Sequence, residues 1–278
     1  MSDIWKFVIL IVSSYFIGNV TFARLFAFTR NKDDITTHGS GNPGTMNVLR
    51  THGLWLAVAT LIFDALKAVI CCVWGYLWLS PTSGYMANLA VYFAGFSCII
   101  GHCFPILYKF KGGKGVATGF GLACVARPVL IPVIIAVFLF VFLVWKIGSL
   151  ASLITILVFF IIESIILLNL GYYASFIFLL VVVSIIFYAH RTNIKKIFDN
   201  KESKIDLNEA VEKDKKFAKE QKEKRELFKK LKFRKKNKQS EQSELVPEQS
   251  ESTENVEENN VGQIEVKMED SNTDNNEN

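Results

Sequence analysis

The stretch GVATGFGLACVARP, Gly115–Pro128, decides how the rest of the chain is read. It is apolar, yet only twelve residues separate Lys114 from Arg127. A helix that crosses a bilayer needs about 20 mostly apolar residues. Six longer apolar runs surround it: Ile4–Phe28, Leu54–Leu79, Ala87–Phe104, Val129–Trp145, Leu150–Leu168 and Tyr172–Ala189. The chain therefore has six spans, or seven if the short run crosses with help from its neighbours. Loop charge separates the two. Thr29–Gly53 carries Arg30, Lys32 and Arg50. The next basic loop carries Lys109, Lys111 and Lys114. Lys146 follows, and then Arg191, Lys195 and Lys196 after the last run. Ser80–Met86 and Asn169–Gly171 carry no charge. Basic loops stay in the cytoplasm. Seven crossings put all four basic segments on one side, with Arg127 as the exception; six would part Lys109–Lys114 from Lys146. The sequence thus predicts an all-α integral membrane protein with seven transmembrane helices, the N-terminus outside and the C-terminus cytoplasmic.

Composition divides the chain in the same way. The first 190 residues hold eleven basic and five acidic groups, and the remainder holds most of the charge. So apolar a segment does not stay in solution as a domain. Asp3 balances Lys6, and no small-x-small cleavage site follows the first apolar run, which reads as a span rather than a signal peptide. The expected organisation is a membrane domain over 1–205, a basic helical cytoplasmic segment over 206–238, and an acidic disordered tail over 239–278. Lys195–Lys238 is net +9, which suits anionic headgroups, whereas Gln239–Asn278 is net −11 and too polar to bury a core. The five cysteines, Cys71, Cys72, Cys98, Cys103 and Cys124, lack metal-ligand spacing and read as apolar packing. No metal, cofactor or nucleic acid is expected.

The polar residues of the membrane domain gather near the basic loops. His38-Gly-Ser-Gly-Asn-Pro-Gly-Thr-Met-Asn-Val-Leu-Arg50 contains a turn, Ser40 to Gly44, that is either an ordinary loop or a nest of N–H groups for an anion. Asn47 and Arg50 follow at helical spacing, an amide and a fork-shaped cation suited to phosphate. Gly112, Gly113 and Gly115 surround Lys114 ahead of a helical run, a cradle for phosphate. It is not a nucleotide-binding P-loop, because Val116 stands where Ser or Thr is needed. Ser149 and Ser152 lie one turn apart at a helix start, where Ser149 reads as an N-cap or as part of a site. His190 and Asn193 end the last span. Asp64 and Lys67, at spacing three inside a span, read as a structural ion pair. Glu163 is a further intramembrane acid with no assigned role.

In this order the motifs resemble the acyl-phosphate:glycerol-3-phosphate acyltransferases of bacterial membranes. The carriers are Ser14-Tyr-x-x-Gly-Asn19, Ser40-Gly-Asn-Pro-Gly44 with Asn47 and Arg50, Asp64-x-x-Lys67, Gly101-His102, Phe110-Lys-Gly-Gly-Lys-Gly-Val-Ala-Thr118, Ser149-Leu-Ala-Ser152, and His190-Arg-x-Asn-Ile194 with Glu202 beyond. Departures are Thr45 for the usual Ala, Ala68 for Gly, and Asn200-Lys201 for Gly-Thr. The resemblance implies that Ser40, Arg50, His190 and Asn193 are catalytic. It implies that Gly41, Asn42, Gly44, Asn47, Gly112, Gly113, Lys114 and Ser149 bind substrate, and that Asp64, Lys67 and Glu202 are structural. It implies glycerol 3-phosphate and acyl phosphate as substrates, membrane lipids as surroundings, the enzyme that makes acyl phosphate as a candidate partner, and a bacterial plasma membrane with the site facing the cytoplasm. A carrier of a small phosphorylated solute and a lipid phosphatase are the competing readings. No histidine here has Asp five positions on, the dyad of many thioester-dependent glycerolipid acyltransferases.

Overall fold

The computed structural model describes residues 4–31 and 34–244. Among these the chain is entirely helical: α1 (Ile4–Asn19), α2 (Phe22–Asn31), α3 (Thr45–His52), α4 (Leu54–Leu79), α5 (Gly84–Cys103), α6 (Val116–Ala126), α7 (Ile131–Trp145), α8 (Gly148–Asn169), α9 (Tyr173–Ala189), α10 (Arg191–Phe198) and α11 (Leu207–Glu244). Two compact units divide after Phe217. The first holds the helical bundle. Of the second, Ala218–Glu244 is helix, so α11 continues six residues into the segment expected to be disordered, 239–278, whose remainder from 245 on lies outside the described residues.

Five segments have the length and apolarity to cross a membrane, and a sixth appears if α9 and α10, bent by 58°, count as one. α6 has 11 residues, about 16 Å of rise, well short of a bilayer's hydrocarbon core. The outward faces are apolar throughout: Ile62, Leu77, Phe140, Leu143, Ile165 and Ile177 are all more than half exposed. A water-soluble protein does not carry so large a contiguous apolar surface.

The expected first span, Ile4–Phe28, is broken at Val20 and Thr21, and the cause lies in α4. The Lys67 ammonium donates to the carbonyls of Gly18 (3.0 Å) and Val20 (2.6 Å), where the helix ladder ends. Carbonyls at a helix C-terminus need donors and attract positive charge. α1 and α5 cross closely enough that a Cβ on Gly18 would lie 2.2 Å from the Cys98 carbonyl oxygen, and one on Gly101 would lie 2.1 Å from that of Tyr15. Small residues permit such crossings where lipid gives helices no hydrophobic reason to associate. At the opposite end, Ser175 donates to Asn88 (2.7 Å) and Tyr85 packs edge-on to Tyr172, so the two uncharged loops lie together.

Glu163 now has a role. Arg127, just beyond the C-terminus of α6, donates through Nε and Nη2 to its two oxygens, both at 2.9 Å, and the Tyr92 hydroxyl donates at 2.7 Å. The carboxylate is completely buried. This fork ties the end of the short helix α6 to α5 and α8. Removing one member of a buried pair costs about 3 kcal/mol or more, because the other charge is stranded. Glu163→Ala is expected to lower the unfolding midpoint in detergent by several degrees. It should leave substrate kinetics of the folded fraction intact, since Glu163 lies fourteen residues, about 21 Å of helix, from Ser149. An unchanged midpoint would show that the fork carries no stability.

Candidate active site

The first motif folds around Asn47, which is 1% exposed. Its side-chain oxygen accepts from the Ser40 N–H (2.8 Å), and its amide donates to the carbonyls of Ile35 (3.1 Å) and His38 (3.0 Å). The N–H groups of Gly41 and Gly44 bond to the carbonyls of His38 and Asn42. Three of the N–H groups expected to form an anion nest are therefore spent inside the loop, and Asn47 is the pin that shapes it. Arg50, one turn further along α3, has Nη2 on the Ser203 carbonyl (2.9 Å). Its Nε is buried without a protein hydrogen-bond partner among the described residues.

The second motif rests on a buried cluster that the sequence shows only as separate fragments. Lys67 pairs with Asp64 (2.9 Å) and donates to Nδ1 of His102 (3.0 Å), which leaves the His102 proton on Nε2. The glycine loop lies against that ring and its backbone. A Cβ at position 113 would fall 2.2 Å from His102 Nε2, and one at 112 would fall 2.1 Å from the His102 carbonyl oxygen. The Gly113 N–H donates to the same carbonyl (3.0 Å). The glycines allow close packing that brings Lys114 to the site; the N–H of Gly113 is not free for a ligand. His102 carries this arrangement, and its only sequence signal was its place after Gly101.

Lys114 donates to the side-chain oxygen of Asn193, and the Asn193 amide donates to Glu202 Oε1 (2.7 Å). The Ser149 hydroxyl donates to the same oxygen at 2.9 Å. Ser149 is thus not the N-cap of α8, a position held by Ile147; it is a ligand of the carboxylate. Four segments distant in sequence meet here. They enclose a cavity of about 150 Å³ lined by Ser40, Asn42, Gly44, Asn47, Arg50, Lys114, Ser149, His190, Asn193 and Glu202, with Asp64 and His102 at its wall. Gly41, Gly112, Gly113 and Lys67 stand behind this lining and support it. Thr45, Met46 and Ser152 also line it. The His190 ring is buried, and Nδ1 donates to the Ile186 carbonyl (2.8 Å), so in the neutral ring Nε2 is an acceptor.

Leu61, Val116 and Phe138 also wall a second cavity of about 390 Å³, lined almost wholly by apolar side chains of α6, α7, α8 and α9. A polar chamber with two cations thus adjoins an apolar one. Such a pair of chambers suits a substrate with an anionic head and an aliphatic chain.

The glycerol-3-phosphate acyltransferase family matches residues 8–200. The chain belongs to that family. Among relatives in it, the glycerol-3-phosphate acyltransferase of Finegoldia magna is 34% identical over 72% of this chain and 97% of its own. That of Alkaliphilus metalliredigens is 37% identical over 73% and 98%. The crystal structure of PlsY, an integral membrane glycerol 3-phosphate acyltransferase, in its glycerol 3-phosphate form has a TM-score of 0.64 and 28% identity, covering 74% of this chain and 98% of that one. Its lysophosphatidic acid form gives 0.61. This chain is likewise a multi-pass integral membrane protein.

Burial draws the Lys114 ammonium down to about 8; Arg50 and Lys196 push the same way, and Glu202 opposes them. A phosphate monoester is already a dianion there, its second pKa being about 6. Raising the pH through about 8 therefore removes charge from the protein and not from the ligand. For a phosphate-bearing substrate, kcat/KM is expected to fall above pH 8. Lys114→Arg, charged at any such pH, should move the fall up by about a unit or more. A flat wild-type profile to about pH 10 would take Lys114 out of phosphate binding.

Proposed function

We propose that this protein transfers an acyl group from acyl phosphate to glycerol 3-phosphate, giving lysophosphatidate and inorganic phosphate. The observation that carries the reading is the convergence of Arg50 and Lys114, from separate segments, on one cavity that shares a wall with a large apolar one. The hydroxyl oxygen of glycerol 3-phosphate attacks the acyl carbonyl carbon, and the bond from that carbon to the phosphate oxygen breaks. The hydroxyl proton goes to His190 Nε2 or to the departing phosphate. Phosphate leaves readily, so no acyl-enzyme is needed. Arg50 and Lys114 offset charge as it develops, and Ser40 and Asn193 position the substrates. Glu202 holds Ser149 and Asn193 in place.

In this reading the chain crosses the bacterial plasma membrane seven times, with α6 as the short crossing, and the site faces the cytoplasm, where a partner enzyme supplies acyl phosphate. A carrier of phosphorylated solutes would need polar groups along the whole bilayer depth. Here the cavity's polar groups lie at the end opposite Asn88 and Ser175, and no inverted repeat is apparent in the sequence.

The test is donor choice with purified protein and labelled glycerol 3-phosphate. Lysophosphatidate is expected to form from acyl phosphate and not from acyl-CoA or acyl carrier protein. Arg50→Ala should lose about a hundredfold or more in kcat/KM at equal abundance. Comparable turnover with a thioester donor would overturn the donor assignment.

A further inference from the structure

The family match ends at residue 200, yet the first compact unit continues to Phe217. What the extra residues touch is specific. Ile205 is 3% exposed within a cluster that includes Ala27, Val48, Ala57 and Phe142, and its N–H donates to the Lys146 carbonyl (2.8 Å). Asp214 reaches the start of α4, where the N-cap residue, Gly53, has no side chain to offer. One oxygen of Asp214 accepts from the N–H groups of Leu54 (2.8 Å) and Trp55 (3.0 Å), and the other pairs with Arg30 (3.2 Å). Arg30 in turn lies over the Phe217 ring at 3.9 Å. A cap that another residue would supply locally thus comes from 160 positions away. Gly53, at φ 101°, makes room for it: a Cβ there would lie 2.6 Å from the Asp214 carboxylate.

The same segment grips Arg50 twice. Lys213 donates to the Arg50 carbonyl, and the Arg50 guanidinium donates to the Ser203 carbonyl. Backbone and side chain of the cation are therefore both held by residues after position 200, where the family match stops, and Asp214 anchors the segment that holds them. We infer that Ser203–Phe217 is a strap that fixes Arg50 in the site, with Asp214 as its positioning residue. The inference rests on the proposed role of Arg50 in binding the phosphate-bearing substrate.

If the strap sets the fraction of molecules with Arg50 in place, loosening it raises the apparent KM by the inverse of that fraction. In the full-length protein, Asp214→Ala is expected to raise KM for glycerol 3-phosphate about fivefold while kcat changes less than about twofold. Amide exchange at Leu54 and Trp55 should quicken. Asp214→Asn keeps an oxygen for the two N–H groups and should restore much of the loss. If Asp214→Ala fails to accumulate, Lys213→Met, which removes the contact to the Arg50 carbonyl together with an exposed pairing to Glu209, should raise KM in the same direction. A KM equal to wild type in these variants, in membranes where Arg50→Ala is impaired, overturns the strap, because a purely structural role would lower abundance and leave KM alone. Absence of turnover in the wild type counts against the acyl-transfer reading alone. Exchange at Leu54 and Trp55 then decides the strap, supported if faster in Asp214→Ala and overturned if unchanged.

Discussion

Lys67 places an ammonium among apolar helices, and most of the site follows from how that charge is satisfied. Its four contacts, the carbonyls of Gly18 and Val20, the Asp64 carboxylate and Nδ1 of His102, join α1, α4 and α5 at one point. They end α1 and fix the tautomer of His102. His102 then forms the floor on which Gly112 and Gly113 lie, and those glycines hold Lys114 where it meets Asn193. Asn193 passes the connection to Glu202, and Glu202 to Ser149. A continuous polar chain thus runs from the centre of the bundle to the cavity mouth. A buried ion of this kind is retained only with near-complete hydrogen bonding, and here the partners are also the supports of the site.

The division between the two cavities has a similar physical origin. Polar side chains are expensive in lipid, so they collect where helix ends and loops already demand partners. Arg50, Lys114 and His190 all come from such ends. Beyond them α6, α7, α8 and α9 line the second cavity with aliphatic and aromatic side chains, Thr155 apart, because nothing there requires otherwise. Anionic headgroup chemistry and chain binding are therefore neighbours by construction. The brevity of α6 is compatible with this arrangement because Arg127 finds Glu163 as its partner, and Tyr92 donates to the same carboxylate.

Much of the bundle was legible in the sequence, since long apolar runs specify helices in a membrane directly. Residues of the loop motifs come together on one cavity, and Asp64 pairs with Lys67 as their spacing suggested. What escaped was the direction in which side chains spend their hydrogen bonds. Asn47, at helical spacing from Arg50, looked like a substrate ligand, but it turns back to pin its own loop. Ser149 had two readings, and only the approach of Glu202 from fifty-three residues away separates them. The break in the first span is invisible locally because its cause, Lys67, lies on another helix. Glu163 had no account for the same reason, and the strap had none because charged helical sequence gives no sign of what it docks against.

The proposed reaction requires that the loops bearing Arg50 and Lys114, and the segment after α10, share the cytoplasmic side. Single cysteines at Ser83, Lys111 and Ser203, all exposed positions, in an otherwise cysteine-free chain measure this directly. With an impermeant thiol reagent on intact cells, labelling at position 83 alone is the predicted result, with 111 and 203 reacting only after permeabilisation. Labelling at 111 in intact cells would place the Lys114 loop outside and contradict a single cytoplasmic site.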